Sequence, residues 1–191
     1  PPGVLNADIR LAGRLETLDG LVKVNLKEVK VPQAPKAFGL ATVDVDTTLR
    51  SGRLKSAVKV QQPPLQPLTV DAQLPLDAPA LVKDPKLMES LPLQVAVRMA
   101  ESDLGFIREY APDLIQSLPA RLKLDADVSG TVAKPLIRAA VDLDAAEVGW
   151  AKADMPSVRD VRARLRLNDR VLRIEDVSLM MAGGRVKLDG T

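Results

Sequence analysis

A chain of 191 residues is long enough to bury a sizeable apolar face in one domain or in two small ones. Its 27 Lys and Arg against 25 Asp and Glu leave a formal charge of only +2, without interleaved aromatics for stacking, which argues against a nucleic-acid binder. With no His and no Cys, disulfides, Cys/His metal sites, Cys nucleophiles and His-based triads are excluded, so no catalytic residue, metal or cofactor is assigned and the chain reads as a non-enzyme.

After Pro1-Pro2-Gly3, Ala7 to Leu15 reads as a first strand, with Ile9 and Leu11 against Asp8 and Arg10 up to Gly13. Asp19-Gly20 turns into Val22, Val24 and Leu26, opposite Lys23, Asn25 and Lys27, with Val29 and Val31 following. Residues 31–39 hold two prolines and read as a loop. Val43, Val45, Thr47 and Leu49 alternate with Asp44, Asp46 and Thr48; Ser51-Gly52 is a hairpin signal, and Leu54, Ser56, Val58 and Val60 return against Arg53, Lys55 and Lys59. Val70 and Leu74 belong to a run from Leu68 to Leu76 fenced by Pro63, Pro64, Pro67 and Pro79, and Val95 and Val97 to one from Leu93 to Met99. Glu101-Ser102-Asp103 offers N-cap oxygens, Leu104, Ile107 and Tyr110 share a helical face, and Pro112 suits the first position of a new turn. Two short helical pieces, 103–110 and 112–118, are therefore expected, together forming a plug or lid.

The last third is an almost unbroken series of period-two strands. Leu122, Leu124 and Val128 alternate with Lys123, Asp125 and Asp127; Ile137, Val141 and Leu143 with Arg138, Asp142 and Asp144; Leu165 and Leu167 with Arg162, Arg164 and Arg166. Leu172 and Ile174 follow, then Val177, Leu179 and Met181, and Gly183-Gly184 turns the chain into Val186 and Leu188. Successive side chains on a strand point to opposite faces, so this is a sheet with one aliphatic and one charged face. If strands meet in chain order, Asp142 and Asp144 lie beside the Arg run, favouring one register while each pair adds little stability. Trp150 reads as a loop residue half-covering the end of the sheet.

The first part resembles the last. At an offset of 117 Gly13 aligns with Gly130, Val24 with Val141, Leu26 with Leu143 and Val31 with Val148; after one residue of slip Val43 meets Val161, Leu49 meets Leu167 and Leu54 meets Leu172. The organisation expected is a first β-repeat over 1–80, a connecting strand and helical segment over 81–119, and a second repeat over 120–191, stacked as an elongated array that looks cut from something longer. No run reaches the roughly eighteen apolar residues of a membrane span, and no signal peptide is visible.

The order of these features carries a resemblance. A strand, a short leucine-rich segment with proline, a strand ending in Asp127-Val128-Ser129-Gly130-Thr131, a Pro five residues after that glycine (Pro135), and alternating strands closing on Ala182-Gly183-Gly184 with Leu188 and Gly190 resemble the TamB (translocation and assembly module) branch of the AsmA-like family. It covers residues 65–191 directly and 1–64 through the repeat. It implies a mostly β, taco-like antiparallel groove with an apolar interior, anchored in the inner membrane and standing in the periplasm. Its partners would be phospholipid acyl chains carried between the inner and outer membranes, and an Omp85-type outer-membrane barrel. The aliphatic residues named above would line the groove; no catalytic residues are implied.

The physics agrees with that expectation. An aliphatic lining suits an acyl chain, which offers no hydrogen bonds to read, and about fifteen CH₂ groups would gain on the order of 10 kcal/mol before entropic costs. Alternation alone favours a closed sandwich whose apolar faces pack on each other. The scarcity of aromatics (Phe38, Phe106, Tyr110 and Trp150 only), the repeat and the resemblance favour the open groove. The alternative is a non-enzymatic scaffold that docks a client strand along an open edge, as an aid to assembly of outer-membrane proteins. Exposed edges and an apolar mouth also predict self-association of the isolated chain.

Overall fold

The computed structural model describes residues 3–30, 38–152 and 154–191. The strands are β1 (Val4–Ala12), β2 (Asp19–Val29), β3 (Ala41–Arg50), β4 (Arg53–Gln61), β5 (Leu68–Pro75), β6 (Gln94–Asp103), β7 (Ile115–Ser117), β8 (Ala120–Gly130), β9 (Pro135–Trp150), β10 (Val158–Asn168), β11 (Val171–Met181) and β12 (Gly184–Gly190). They form one open antiparallel sheet in chain order, with only β7 off the path, where it pairs with β9. The fold is therefore mostly antiparallel β and elongated, and the sheet does not close on itself. Most of the loop expected over 31–39, and the match of Val31 to Val148, fall outside the described residues.

Strand spacing recurs along the chain. Taking 117 from the bounds of β8 and β9, and 118 from those of β10 and β11, brings each close to β1, β2, β3 and β4 respectively. The two glycines that align, Gly13 and Gly130, both take positive φ, +106° and +92°, where a Cβ would run into backbone oxygens of the following loop.

Helix falls elsewhere than expected. The α-helical turns are α1 (Ala78–Lys83) and α2 (Leu87–Ser90), in the loop between β5 and β6. Asp77 caps α1 by accepting from the Ala80 N–H at 3.0 Å, and Pro79 sits where no helical N–H is needed. Within 101–118 the helical content is a 3₁₀ turn, Gly105–Glu109. Glu101, Ser102 and Asp103 form the end of β6, with Asp103 Oδ1 accepting from the Gly105 N–H at 2.6 Å where the 3₁₀ turn starts, and the piece expected over 112–118 contains extended β7, whose Ile115 and Ser117 pair with Trp150 and Gly149. Ladder pairing against β9 outweighs the weak propensity of a turn bounded by Pro112 and Pro119. Among the described residues, no helix is long and apolar enough to cross a membrane.

Core burial is sparse: its one cluster sits at one rim, and Leu49, at the other end of β3, is buried at the opposite rim. Leu104, Ala120 and Ala145 are buried together, with Leu65, Phe106, Ile107, Leu118, Leu122, Leu143 and Val161 packed on them. The segment between β6 and β8 thus folds over the apolar face at the rim and covers it there. Ser102, fully buried, pins the neighbouring loop: its Oγ accepts from the Gln66 N–H at 3.0 Å and donates to the Ala100 carbonyl at 3.1 Å. All four aromatic residues lie on this rim, Phe38 meeting Phe106 edge to face at 4.8 Å, while half-buried Trp150, at the end of β9, donates from Nε1 to the Pro156 carbonyl at 2.7 Å.

Candidate functional site: an apolar strip across the sheet

In an antiparallel ladder, directly opposed residues share a face, so cross-strand partners form rows running along the sheet. One row reads Leu5, Leu26, Val43, Val60, Leu68, Met99, Leu124, Val141, Leu165 and Ile174, from β1 to β11. The adjacent row reads Ala7, Val24, Val45, Val58, Val70, Val97, Ala126, Ala139, Leu167 and Leu172. Neither holds a polar side chain. Ten strands at about 4.8 Å spacing make the strip about 43 Å long.

A third row, Ile9, Val22, Thr47, Ser56, Ala72, Val95, Val128 and Ile137, flanks these, and beyond it Leu49, Leu54 and Leu74 continue the apolar face across β3–β5. On the other flank stand Leu122, Leu143, Ala163, Val177 and Leu188, then Leu179 opposite Val186, with Met181 opposite Val158. All the residues read from the sequence as aliphatic lining therefore fall on one face. Along the two central rows only Met99 is buried; the others remain half-buried or exposed, and among the described residues no second sheet packs on them. The absence of cover separates this sheet from a closed sandwich.

Four parity slips keep the face continuous. The apolar series jumps by three residues at Leu26/Val29, Met99/Ser102, Val158/Val161 and Ile174/Val177, and each jump coincides with a register irregularity in the ladder. At two of them a residue adopts positive φ, Glu28 at 57° and Asp160 at 51°. A bulge inserts one residue, so the strand regains its facing. The change in parity of the residues on this face, even to odd at three of them and odd to even at Met99/Ser102, is the sequence signal for them.

The opposite face carries the charge, organised mainly by diagonal pairs. Arg164 Nη2 donates to both Asp144 oxygens at 2.9 and 2.8 Å, Arg166 Nη1 to Asp142 at 2.6 Å, and Arg98 Nη2 to Asp127 at 2.6 Å. The hydrogen bond that Arg164 donates to Asp144 outweighs desolvation and raises the Arg164 pKa. Small residues on this face leave open troughs between rows of longer side chains. One of about 650 Å³ has Ala57 and Ala96 among Asp46, Asp71, Lys55 and Asp127; a neighbour of about 610 Å³ shares Asp46, Ala57 and Asp71. Most of their lining residues stand on the charged face, with Ala72, Val95 and Val128 also bordering the first and Val24, Val45 and Val58 the second. Among the described residues, no group of three or more Asp or Glu is arranged to hold a metal ion.

No family model, curated protein or solved structure matches the chain.

Proposed function

We propose that this chain is a segment of a lipid-conducting β-groove, standing in the periplasm of a protein anchored in the inner membrane, that carries phospholipids between the inner and outer membranes. The observation that carries this reading is the pair of apolar rows unbroken over ten strands and left uncovered. A binding site for one small molecule needs a pocket; a track for acyl chains needs continuity, and continuity is what the four bulges preserve. The motif order shared with the TamB branch supports the same assignment. Lipid extraction from the purified chain followed by mass spectrometry, with a photo-crosslinker at Ile174, tests it. Co-purified phospholipid crosslinked at Ile174 is the expected result, and a lipid-free chain that takes up none from vesicles would overturn it.

A second reading rests on the open edge. Among the described residues β1 has no partner on its outer side, and Leu5, Ile9 and Leu11 are 64%, 64% and 68% exposed there. Such an edge accepts an added strand, either from a client protein, as in a scaffold working with an Omp85-type barrel, or from a second copy. Self-association at micromolar concentration that Ile9→Lys abolishes is expected. A monomer before and after the substitution would count against edge docking.

A further inference from the structure

The third row, which flanks the two unbroken apolar rows, is interrupted once, on β3 and β4. Thr47 and Ser56 face each other across the ladder, both half-buried, with their hydroxyl oxygens 2.8 Å apart. Val22 stands beside Thr47 and Ala72 beside Ser56 in the same row. The Val45–Val58 pair lies on one side and Leu49–Leu54 on the other, so aliphatic groups border the hydroxyls in all four directions. In these three rows, no other side chain carries a polar atom.

Two hydroxyls hold two protons, and the single bond between them uses one. Among the described residues neither oxygen makes another hydrogen bond, so one O–H is left for whatever covers the strip. Water satisfies it while the face is wet. A saturated chain laid over it would expel that water and leave a donor with no acceptor, which is unfavourable. A ligand that is aliphatic along most of its length and offers one carbonyl at this point removes the conflict.

We infer that Thr47 and Ser56 form a subsite for the ester carbonyl of an acyl lipid, fixing where its glycerol end stands on the strip. The carbonyl accepts the free hydroxyl proton, and the acyl chain continues along the two fully apolar rows. This rests on the lipid-groove reading and adds to it a preference for ester-linked lipid at one place.

The test is competition between a diester phosphatidylglycerol and its diether analogue with the same chain lengths, presented to the whole chain in mixed vesicles and read by mass spectrometry of the bound lipid. The wild type is expected to enrich the diester about five- to tenfold, the usual worth of one net hydrogen bond. The Thr47→Val/Ser56→Ala double variant should bind as much total lipid with the preference reduced to near unity, and Thr47→Ser should retain it. A second measurement needs no variant: the infrared band of a ¹³C-labelled ester carbonyl should move to lower frequency on binding the wild type. Equal uptake of both lipids by the wild type, an unshifted carbonyl band, or a preference that survives the double substitution would overturn the subsite while leaving the groove intact. Failure to bind either lipid, or recovery of peptide in place of lipid, would overturn both.

Discussion

Arg164 shows how much of the charged face is specific placement. Its Nη2 is shared between both Asp144 oxygens, its Nη1 donates to the Leu143 carbonyl at 3.1 Å, and its Nε stands 3.7 Å from Asp142. The Asp144 hydrogen bond raises its pKa, and a basic group raised in the folded state stabilises at every pH below its unfolded value. From the arginine's side, the pair is lost only as pH climbs through the raised value, beyond the ordinary alkaline range. As a sequence, the arginines of β10 and β11 look interchangeable, and Arg164→Asp looks harmless. The structure corrects that, because the substitution would set a carboxylate among Asp142, Asp144 and Asp176. Arg164→Asp is expected to lower stability by about 1 kcal/mol in urea titration, less at high salt, because the site is only part-buried and screened. Arg162→Gln, exposed and without an ion pair among the described residues, should change it by less than about 0.5 kcal/mol.

At the scale of elements, the turns divide into those that need a missing Cβ and those that need only the backbone angle. Gly130 has φ +92°, and a Cβ there would stand 2.6 Å from the Lys134 carbonyl oxygen. Gly183 has φ +82° with nothing within 4 Å of the same position. Gly183→Ala should therefore cost only left-handed strain, about 1 kcal/mol. Gly130→Ala must also displace backbone and should cost about 2–3 kcal/mol. Equal urea midpoints for the two variants would contradict the difference. The strands themselves were legible because Asp/Lys and Val/Leu alternate so regularly that period two has no competitor; Val43 to Leu49 and Leu54 to Val60 pair in the order the hairpin signal implies. What escaped is local chemistry that tertiary contacts decide. Asp77-Ala78-Pro79 was as good a helix start as Ser102-Asp103; Ser102 is consumed by the β6 bulge and the Gln66 N–H, and Asp103, accepting from the Gly105 N–H, starts only a 3₁₀ turn, whereas Asp77 caps an α-helical turn. The strand β7 carries no alternation of its own and exists because β9 extends to Trp150 beside it.

Considered whole, the molecule places its aliphatic residues on one face and covers that face toward its rims, at the Leu104 cluster and at Leu49, leaving most of the two central rows open. Where the loop between β6 and β8 folds over, Ala145 is 6% exposed beneath Leu104. A few residues along the same strand, Val141 pairs with Leu165 on the uncovered part of the same face. The two positions therefore test cover directly, within one strand pair and one chemistry. A carboxylate at a covered site loses water without gaining a partner, so Ala145→Asp should cost about 3 kcal/mol or more and unfold the rim. A carboxylate at Leu165 keeps water on its open side, so Leu165→Asp should lower stability by about 1 kcal/mol and leave strand content and solubility intact. On the lipid-groove reading, that same charge lies across a row otherwise unbroken from Leu5 to Ile174. It should sharply reduce lipid crosslinking at Ile174, and outer-membrane integrity in cells that carry the protein. Circular dichroism, urea titration and crosslinking on the two variants separate the possibilities. If Leu165→Asp unfolds the chain as Ala145→Asp does, the face is covered in solution and the open strip is wrong. If it folds and lipid still reaches Ile174 undiminished, the strip is open but is not the track.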